Sequence, residues 1–193
     1  VATMGPAARI VSYLGAADRL VGVTDLDKEN TPGMPYTVVN ASHFETLTSV
    51  GSGGANNTPY AEEIISAAPD LIVAQTSDVQ AADDMSEKTG IPVLGVDPTD
   101  MFDESFAEAL DLVGQALDEE ERSAELIGYI QEAESDLHER TKDIPDSAKP
   151  RVYVGAVSFR GAHGFDGTHA QYPPFEAIGA KNLAAETGET GTF

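Results

Sequence analysis

Short apolar runs alternate with amphipathic stretches along the first hundred residues. Val1–Met4, Leu20–Val23 and Leu71–Ala74 are short, mainly apolar segments of the length that strands buried on both faces of a parallel sheet require. Between the first two runs, apolar residues recur at helical spacing from Ala7 onward, and Gly15 follows where that helix should stop. The pattern predicts alternating strands and helices.

The segment GSGGANNTPYAEEIISAAPDLIVAQ, residues 51–75, repeats this order as loop, helix and strand. Its glycines and asparagines favour a loop, and we expect Pro59 to open a helix that Pro69 ends. The strand ends at polar Gln75 and Thr76, so polar groups follow its carboxyl end. The later segment MSEKTGIPVLGVD again predicts helix, glycine stop and strand.

The second half of the chain is predicted to be helical first and then to return to sheet. Apolar residues at helical spacing predict one helix over 102–117 and a long one over Glu119–Lys142. Arg151–Val157 has the β-branched character of a strand, and Pro173 is expected to start a helix through Ile178.

These patterns predict an α/β protein with a mainly parallel, three-layer sheet lobe. We expect residues 1–117 to form that lobe, 118–145 to contain the long helix, and 150–193 to begin a second α/β lobe. One strand and one short helix do not bury a second core, so we expect the second lobe to be incomplete.

Composition and charge narrow the function classes. The chain has 193 residues, 41% of them hydrophobic, which is enough to bury one sizeable core. Its 33 acidic residues against 11 Lys and Arg give a net charge of −22, which repels nucleic acid and anionic membranes. Such a surface is tolerated when molar salt screens it, so we expect a halophilic source. The absence of cysteine excludes disulfides and thiolate metal sites.

The ordered pieces SYLGAADRLVGVTD, SVGSGGANN, AAPDLIVAQ and TGIPVLGVD resemble the class III solute-binding proteins of ABC importers, which bind ferric siderophores, haem and cobalamin. The later VSFRGAHGFDGTHAQYPPFEAIGAKNLAAE is similar to their iron-complex branch. The resemblance implies a binding protein, not an enzyme, that passes an iron chelate to a membrane permease. It also implies that the long helix joins two lobes, and an extracellular or cell-surface location with a lipid anchor in a segment upstream of Val1.

Candidate ligand contacts lie in the loops at strand ends, where open α/β sheets bind ligands. In the loop Ser158–Tyr172, Arg160 supplies a cation in a chain with few cations, and Phe159, His163 and Tyr172 supply flat faces. The resemblance places this loop at the ligand site, opposite Met4, Gly5, Pro6, Gly53, Gly54, Asn56, Asn57, Gln75, Thr76 and Asp97. Tyr36 and Tyr60 are expected to add flat surface. No cofactor and no resident metal is expected.

Three alternatives stay open. The glycines of GSGG lack the spacing of a dinucleotide loop and are explained as well by a turn in which backbone segments approach closely. An α/β enzyme with its site at the same strand ends is the second alternative, although no nucleophile elbow, zinc-protease helix or paired-carboxylate motif is present. A ligand other than a ferric chelate is the third: haem, cobalamin, or a bare metal held by His43 and His163 with carboxylates.

Overall fold

The computed structural model describes residues 1–54, 57–157 and 164–193. The described chain divides into two compact units, Val1–Thr99 with Asp103–Ile127 and Asp100–Phe102 with Gly128–Phe193. The first unit holds a parallel sheet with helices on it, so the predicted α/β class with a mainly parallel sheet is confirmed.

The sheet of the first unit has five strands in the described part of the chain, and every pairing is parallel. The strands are β1 (Ala2–Met4), β2 (Gly22–Thr24), β3 (Thr48–Gly51), β4 (Ile72–Gln75) and β5 (Val93–Val96). The central strand β1 pairs through Ala2 with Gly22 on one side and Ile72 on the other. The spatial order is β3-β2-β1-β4-β5, so the direction of winding reverses between β1 and β4.

Helices cover both faces of this sheet. Right-handed crossovers that run in opposite directions from β1 and from β4 place their helices on opposite faces. The helices described in the first unit are α1 (Ala7–Tyr13), α2 (Asp25–Lys28), α3 (Pro35–Val39), α4 (Ala41–Phe44), α5 (Ala61–Ala67), α6 (Val79–Thr89) and α7 (Glu104–Ala116). Consistent with coverage of both faces, α1 contacts α3 and α7, whereas α5 contacts α6.

The core of the first unit lies between the sheet and these helices. On one face, Met4, Ile64 and Ile72 pack in one cluster, each at most 1% exposed. Burying an aliphatic side chain of this size contributes roughly 1.5–3 kcal/mol. On α1, Ile10 and Leu14 are equally buried, as their spacing predicts. The apolar residues that predicted these strands and helices therefore pack against one another between the sheet and its helices.

The long helix α8 (Glu120–Thr141) is continuous over 22 residues and passes Gly128 without a break. Its surface carries ion pairs at helical spacing, such as Arg140 with Asp136. Such exposed pairs contribute at most about 1 kcal/mol each. Among the described helices, none is long and apolar enough to cross a bilayer.

The second unit is smaller and differs from the sequence prediction. The strand expected over Arg151–Val157 is wrong beyond Val152, because Ala156 adopts a positive φ of 59° and its N–H donates to Phe165 O at 2.9 Å. A short strand after the helix was not predicted. The elements are β6 (Arg151–Val152), α9 (Pro173–Ala177) and β7 (Lys181–Asn182), with β6 and β7 parallel.

The helix start expected at Pro59 is also wrong. Pro59 pairs in antiparallel fashion with Gly51, the last residue of β3, and Tyr60 N–H donates to Val50 O at 2.9 Å. The backbone before α5 is thus bonded to β3, a strand the sequence analysis missed, and α5 begins only at Ala61.

Candidate binding site at the strand ends

Gly5, Asn57 and Gln75 meet where the winding of the sheet reverses. Gly5 follows β1, and Gln75 is the last residue of β4. A β-carbon placed on Gly5 would lie 3.5 Å from Gln75 Cβ and 3.8 Å from Asn57 Nδ2. Open α/β sheets bind ligands outside the carboxyl ends of the strands at such a reversal point. The structure therefore brings three of the predicted site residues together at this place.

The glycine loop after β3 is tied to this place by its backbone. Gly53 N–H donates to Asn57 Oδ1 at 3.1 Å. A β-carbon on Gly53 would lie only 2.6 Å from Thr24 Oγ1, whereas one on Gly54 would meet no atom of the described residues within 4 Å. Gly53 is thus required by a close approach to its neighbour, as the alternative for GSGG foresaw. Contact of Gly53 and Gly54 with a ligand stays a prediction.

Gln75 has an acceptor that no described residue uses. Its Oε1 is buried and lacks a hydrogen-bond partner among the described residues, while Nε2 donates weakly to Pro98 O at 3.5 Å. Thr76 N–H donates to Val96 O at 2.9 Å, which holds the end of β4 against β5. A pocket of about 490 Å³ reaches this point and is lined by Met4, Asn57, Ile64, Gln75, Thr76 and Met85, among others. It combines an apolar wall with a few polar atoms, as small-molecule sites do.

A buried carboxylate lies at the end of β2. Asp27 is 2% exposed, and its Oδ2 accepts from Thr24 N–H at 3.0 Å and from Thr24 Oγ1 at 2.7 Å. Its Oδ1 accepts from the Tyr36 hydroxyl at 2.8 Å. Burial raises the pKa of Asp27, and these hydrogen bonds oppose that rise. Burial, followed by the nearby Asp27 carboxylate, raises the pKa of Tyr36.

This network was not predicted from the sequence, although the sequence contains a signal for it. Thr24 and Asp27 have the spacing of a capping box, and both reciprocal bonds form at the start of α2. The expectation that Tyr36 offers a flat surface to a ligand is wrong, because Tyr36 is buried and its hydroxyl is committed to Asp27. Tyr60 is partly exposed, and its hydroxyl donates to Asp25 Oδ2 at 2.8 Å.

The remaining predicted contacts fall into two groups. Met4 is buried at the end of β1, whereas Pro6 and Asp97 are exposed after β1 and β5. In the second unit, Tyr172 precedes α9 and packs edge-on against Phe175, with ring centroids 4.9 Å apart. The predictions that lie outside the described residues are Asn56, Phe159, Arg160 and His163.

The histidines of the described chain have other partners. His43 Nε2 is 2.9 Å from Ala17 O, and His169 Nδ1 is 2.8 Å from Thr192 Oγ1. No group of three His, Asp or Glu side chains suited to a metal ion occurs among the described residues. The alternative of a bare-metal site would need His163, which is not among them.

Binding proteins built from α/β lobes are one class of protein that has a parallel sheet with polar residues at its reversal point. Comparison with known protein families identifies the family of this chain. The sequence model of the family described as "Periplasmic binding protein" matches residues 1–192. The chain belongs to that family, so the resemblance recognised in the sequence is confirmed.

Individual relatives are distant. The chain is 25% identical over 158 residues to the uncharacterised ABC transporter substrate-binding lipoprotein YvrC of Bacillus subtilis, a match that covers 80% of this chain and 45% of that protein. The chain thus spans about half the length of this curated relative.

Solved structures show the same fold. The molybdate periplasmic binding protein MolA of Haemophilus influenzae superposes with a TM-score of 0.74 at 18% identity, covering 100% of this chain and 63% of that one. A possible iron-binding periplasmic solute-binding protein of Staphylococcus epidermidis gives a TM-score of 0.65 at 18% identity, covering 100% and 69%. At these identities the likeness establishes the fold alone.

Proposed function

We propose that this chain belongs to the solute-binding component of an ABC importer, which captures an iron complex outside the cell and delivers it to the membrane permease. Membership of the periplasmic binding protein family supports the binding role. The relative YvrC, named as a substrate-binding lipoprotein of an ABC transporter, supports the permease partner and a lipid-anchored, cell-surface location. In this function no covalent bond is made or broken.

The observation that carries the proposal is the convergence of Gly5, Asn57 and Gln75 at the reversal point of the sheet, beside the pocket of about 490 Å³. Gly5 is buried beside Gln75 with a positive φ of 62°, a conformation that favours glycine, and Gln75 Oε1 is an acceptor with no partner among the described residues. The α/β enzyme alternative would use the same edge of the sheet. The relatives reported above, all described as binding proteins, favour binding over catalysis.

An iron complex is the ligand we propose, and two points support it. The segment 157–186 resembles the iron-complex branch of the family, and one structural neighbour is described as a possible iron-binding protein. Haem, cobalamin and, from the neighbour MolA, molybdate are the competing ligands. Arg160, with Phe159, His163 and Tyr172, belongs to this proposal on sequence grounds.

Native mass spectrometry of the protein incubated separately with ferric chelates, haem, cobalamin and molybdate tests the function. We expect one ferric chelate to be retained as a 1:1 complex, and the other compounds to be lost. Retention of haem, cobalamin or molybdate instead would overturn the iron assignment, and failure to retain any of the compounds would overturn the binding function. In a protein that carries both lobes, Arg160→Ala should weaken binding of an anionic ferric chelate by about 1.5–3 kcal/mol, the range for hydrogen bonds to charged groups, and should leave the melting temperature of the ligand-free protein nearly unchanged.

A further inference from the structure

Arg9 is a partly buried cation that the described protein leaves without a partner. It is the third residue of α1, the helix that directly follows β1. Its Nε is buried and has no hydrogen-bond partner among the described residues. Arg9 also takes part in none of the ion pairs that the described residues form. Its guanidinium carbon lies 5.6 Å from the centroid of the Phe106 ring.

This isolation is unusual for a chain of net charge −22. The other two arginines of the first unit both find acceptors. Arg19 donates to Leu117 O and pairs with Glu119 at 3.2 Å, and Arg122 pairs with Glu125. With three acidic residues for every basic one, a guanidinium at the surface has many carboxylates to choose from. Arg9 nevertheless forms no ion pair with a carboxylate of the described residues.

The network of Asp27 and Tyr36 does not supply an acceptor for Arg9 either. The charge of Arg9 acts on Tyr36, where it opposes the rise in pKa that burial and Asp27 cause. Both oxygens of the Asp27 carboxylate, however, already accept from Thr24 and Tyr36. Asp27 therefore does not serve as an acceptor for Arg9, and a buried N–H without an acceptor destabilises the folded protein.

Phe106 gives Arg9 a defined orientation. A guanidinium over an aromatic face is attracted by the ring and keeps its fork of donors in one plane. A planar fork is the geometry that binds a carboxylate through two parallel hydrogen bonds. Covering Phe106 is by itself a structural role, but that role is filled as well by an uncharged side chain of the same length.

We propose that Arg9, oriented by Phe106, binds an oxyanionic group of the ligand, a carboxylate or a group of similar charge and shape. This inference rests on the proposed solute-binding function and adds a cation that belongs to the described first unit. An acidic surface repels an anionic chelate unless a local donor offsets the field, and Arg9 is such a donor at the helix that follows β1. In this arrangement the ligand supplies the hydrogen-bond acceptor that Arg9 lacks among the described residues.

Titration calorimetry with ferric citrate, citrate alone and molybdate tests this assignment. The proteins are wild type, Arg9→Met, Arg9→Lys and the control Arg140→Met, which removes the same charge from an exposed ion pair on α8. For wild type we expect binding of ferric citrate, and for Arg9→Met an affinity lower by about 10- to 100-fold. Arg9→Lys should recover only part of this loss, and Arg140→Met should bind like wild type. The melting temperature of ligand-free Arg9→Met should be no lower than that of wild type, because the substitution removes a buried N–H without an acceptor. The melting temperatures of Arg9→Lys and Arg140→Met should agree closely with that of wild type.

The outcomes separate this inference from the proposed function. Equal affinity of wild type and Arg9→Met for ferric citrate overturns the role of Arg9 and leaves the binding function standing. An equal loss in Arg140→Met also overturns it, because the effect is then one of net charge. Binding of molybdate that depends on Arg9, without binding of ferric citrate, supports the oxyanion site and contradicts the iron assignment. Failure of wild type to bind any of the three probes overturns the Arg9 site.

Discussion

Asp27 and Arg9 are charged side chains on helices that directly follow neighbouring strands, yet their hydrogen bonding within the protein is opposite. The Asp27 carboxylate is 2% exposed and accepts three hydrogen bonds, from Thr24 and Tyr36. Arg9 packs on Phe106 and has no hydrogen bond or ion pair with a described residue. The first charge has its partners within the fold, whereas the second has no hydrogen-bonding partner among the described residues.

The difference separates stability from function at one edge of the sheet. A buried charge is tolerated only when the fold supplies its partners, so the surroundings of Asp27 explain why the loop after β2 has one conformation. A cation that the fold leaves unsatisfied contributes little to stability and is instead free for a ligand. Removing each side chain should therefore affect different measurements.

Asp27→Ala should be the most damaging of these changes. It leaves the Tyr36 hydroxyl and the Thr24 donors buried without an acceptor, at about 1–3 kcal/mol for each group. We expect a total loss of about 3 kcal/mol in the free energy of unfolding, measured by urea denaturation. Asp18→Ala, at an exposed position, is the control and should change the stability by less than about 0.5 kcal/mol. A loss as small as that of the control would show that Asp27 is no more structural than Arg9.

Gly53→Ala and Gly54→Ala form a matched pair that tests the same network from the other side. Both glycines have a φ near 70°, at 71° and 72°, which costs an L-residue roughly 1–2 kcal/mol. Only at Gly53 would the new carbon meet Thr24 Oγ1, at 2.6 Å, and Thr24 Oγ1 is a donor to Asp27. We expect Gly53→Ala to cost about 1–3 kcal/mol more than Gly54→Ala in urea denaturation. Equal losses would mean that the loop yields and that the Asp27 network is less rigid than its geometry indicates.

Much of the sheet was predictable from the sequence, because buried parallel strands appear as apolar runs with helical periodicity between them. The runs ending at Met4 and Ala74 predicted β1 and β4 closely, and the long helix extends to within one residue of its predicted ends. β3 was missed because its Thr48 and Ser49 interrupt the apolar run. Pro59 was misjudged for a similar reason, since its partner Gly51 is set by tertiary pairing and not by local preference.

The convergence of several candidate site residues was predictable from the sequence, but the surroundings of the charged residues were not. Strand ends were recognised because polar residues follow apolar runs, and the structure brings Gly5, Asn57 and Gln75 together there. The isolation of Arg9 is invisible in the sequence, since it depends on which acids lie within reach in three dimensions. The capping box of Thr24 and Asp27, by contrast, could have been predicted, because its spacing is visible in the local sequence.

The dependence of stability on salt should distinguish the exposed charges from Asp27. It is the smallest of the three effects on stability predicted here. We propose that the acidic surface is adapted to high salt, because a net charge of −22 repels itself and the exposed ion pairs offset little of it. The screening length falls from about 10 Å at 0.1 M to about 3 Å at 1 M salt, so the repulsion between exposed acids should largely vanish. We expect potassium chloride to raise the stability by about 1–2 kcal/mol, or about 2–8 °C in melting temperature for a chain of this size.

Screening acts much less on buried groups, so the loss caused by Asp27→Ala should stay the same across the salt series. Thermal scans of wild type and Asp27→Ala from low to molar salt measure both quantities. A flat or falling response of wild type would contradict the adaptation to salt, and a loss at position 27 that disappears in salt would show that Asp27 acts through its charge and not through its hydrogen bonds.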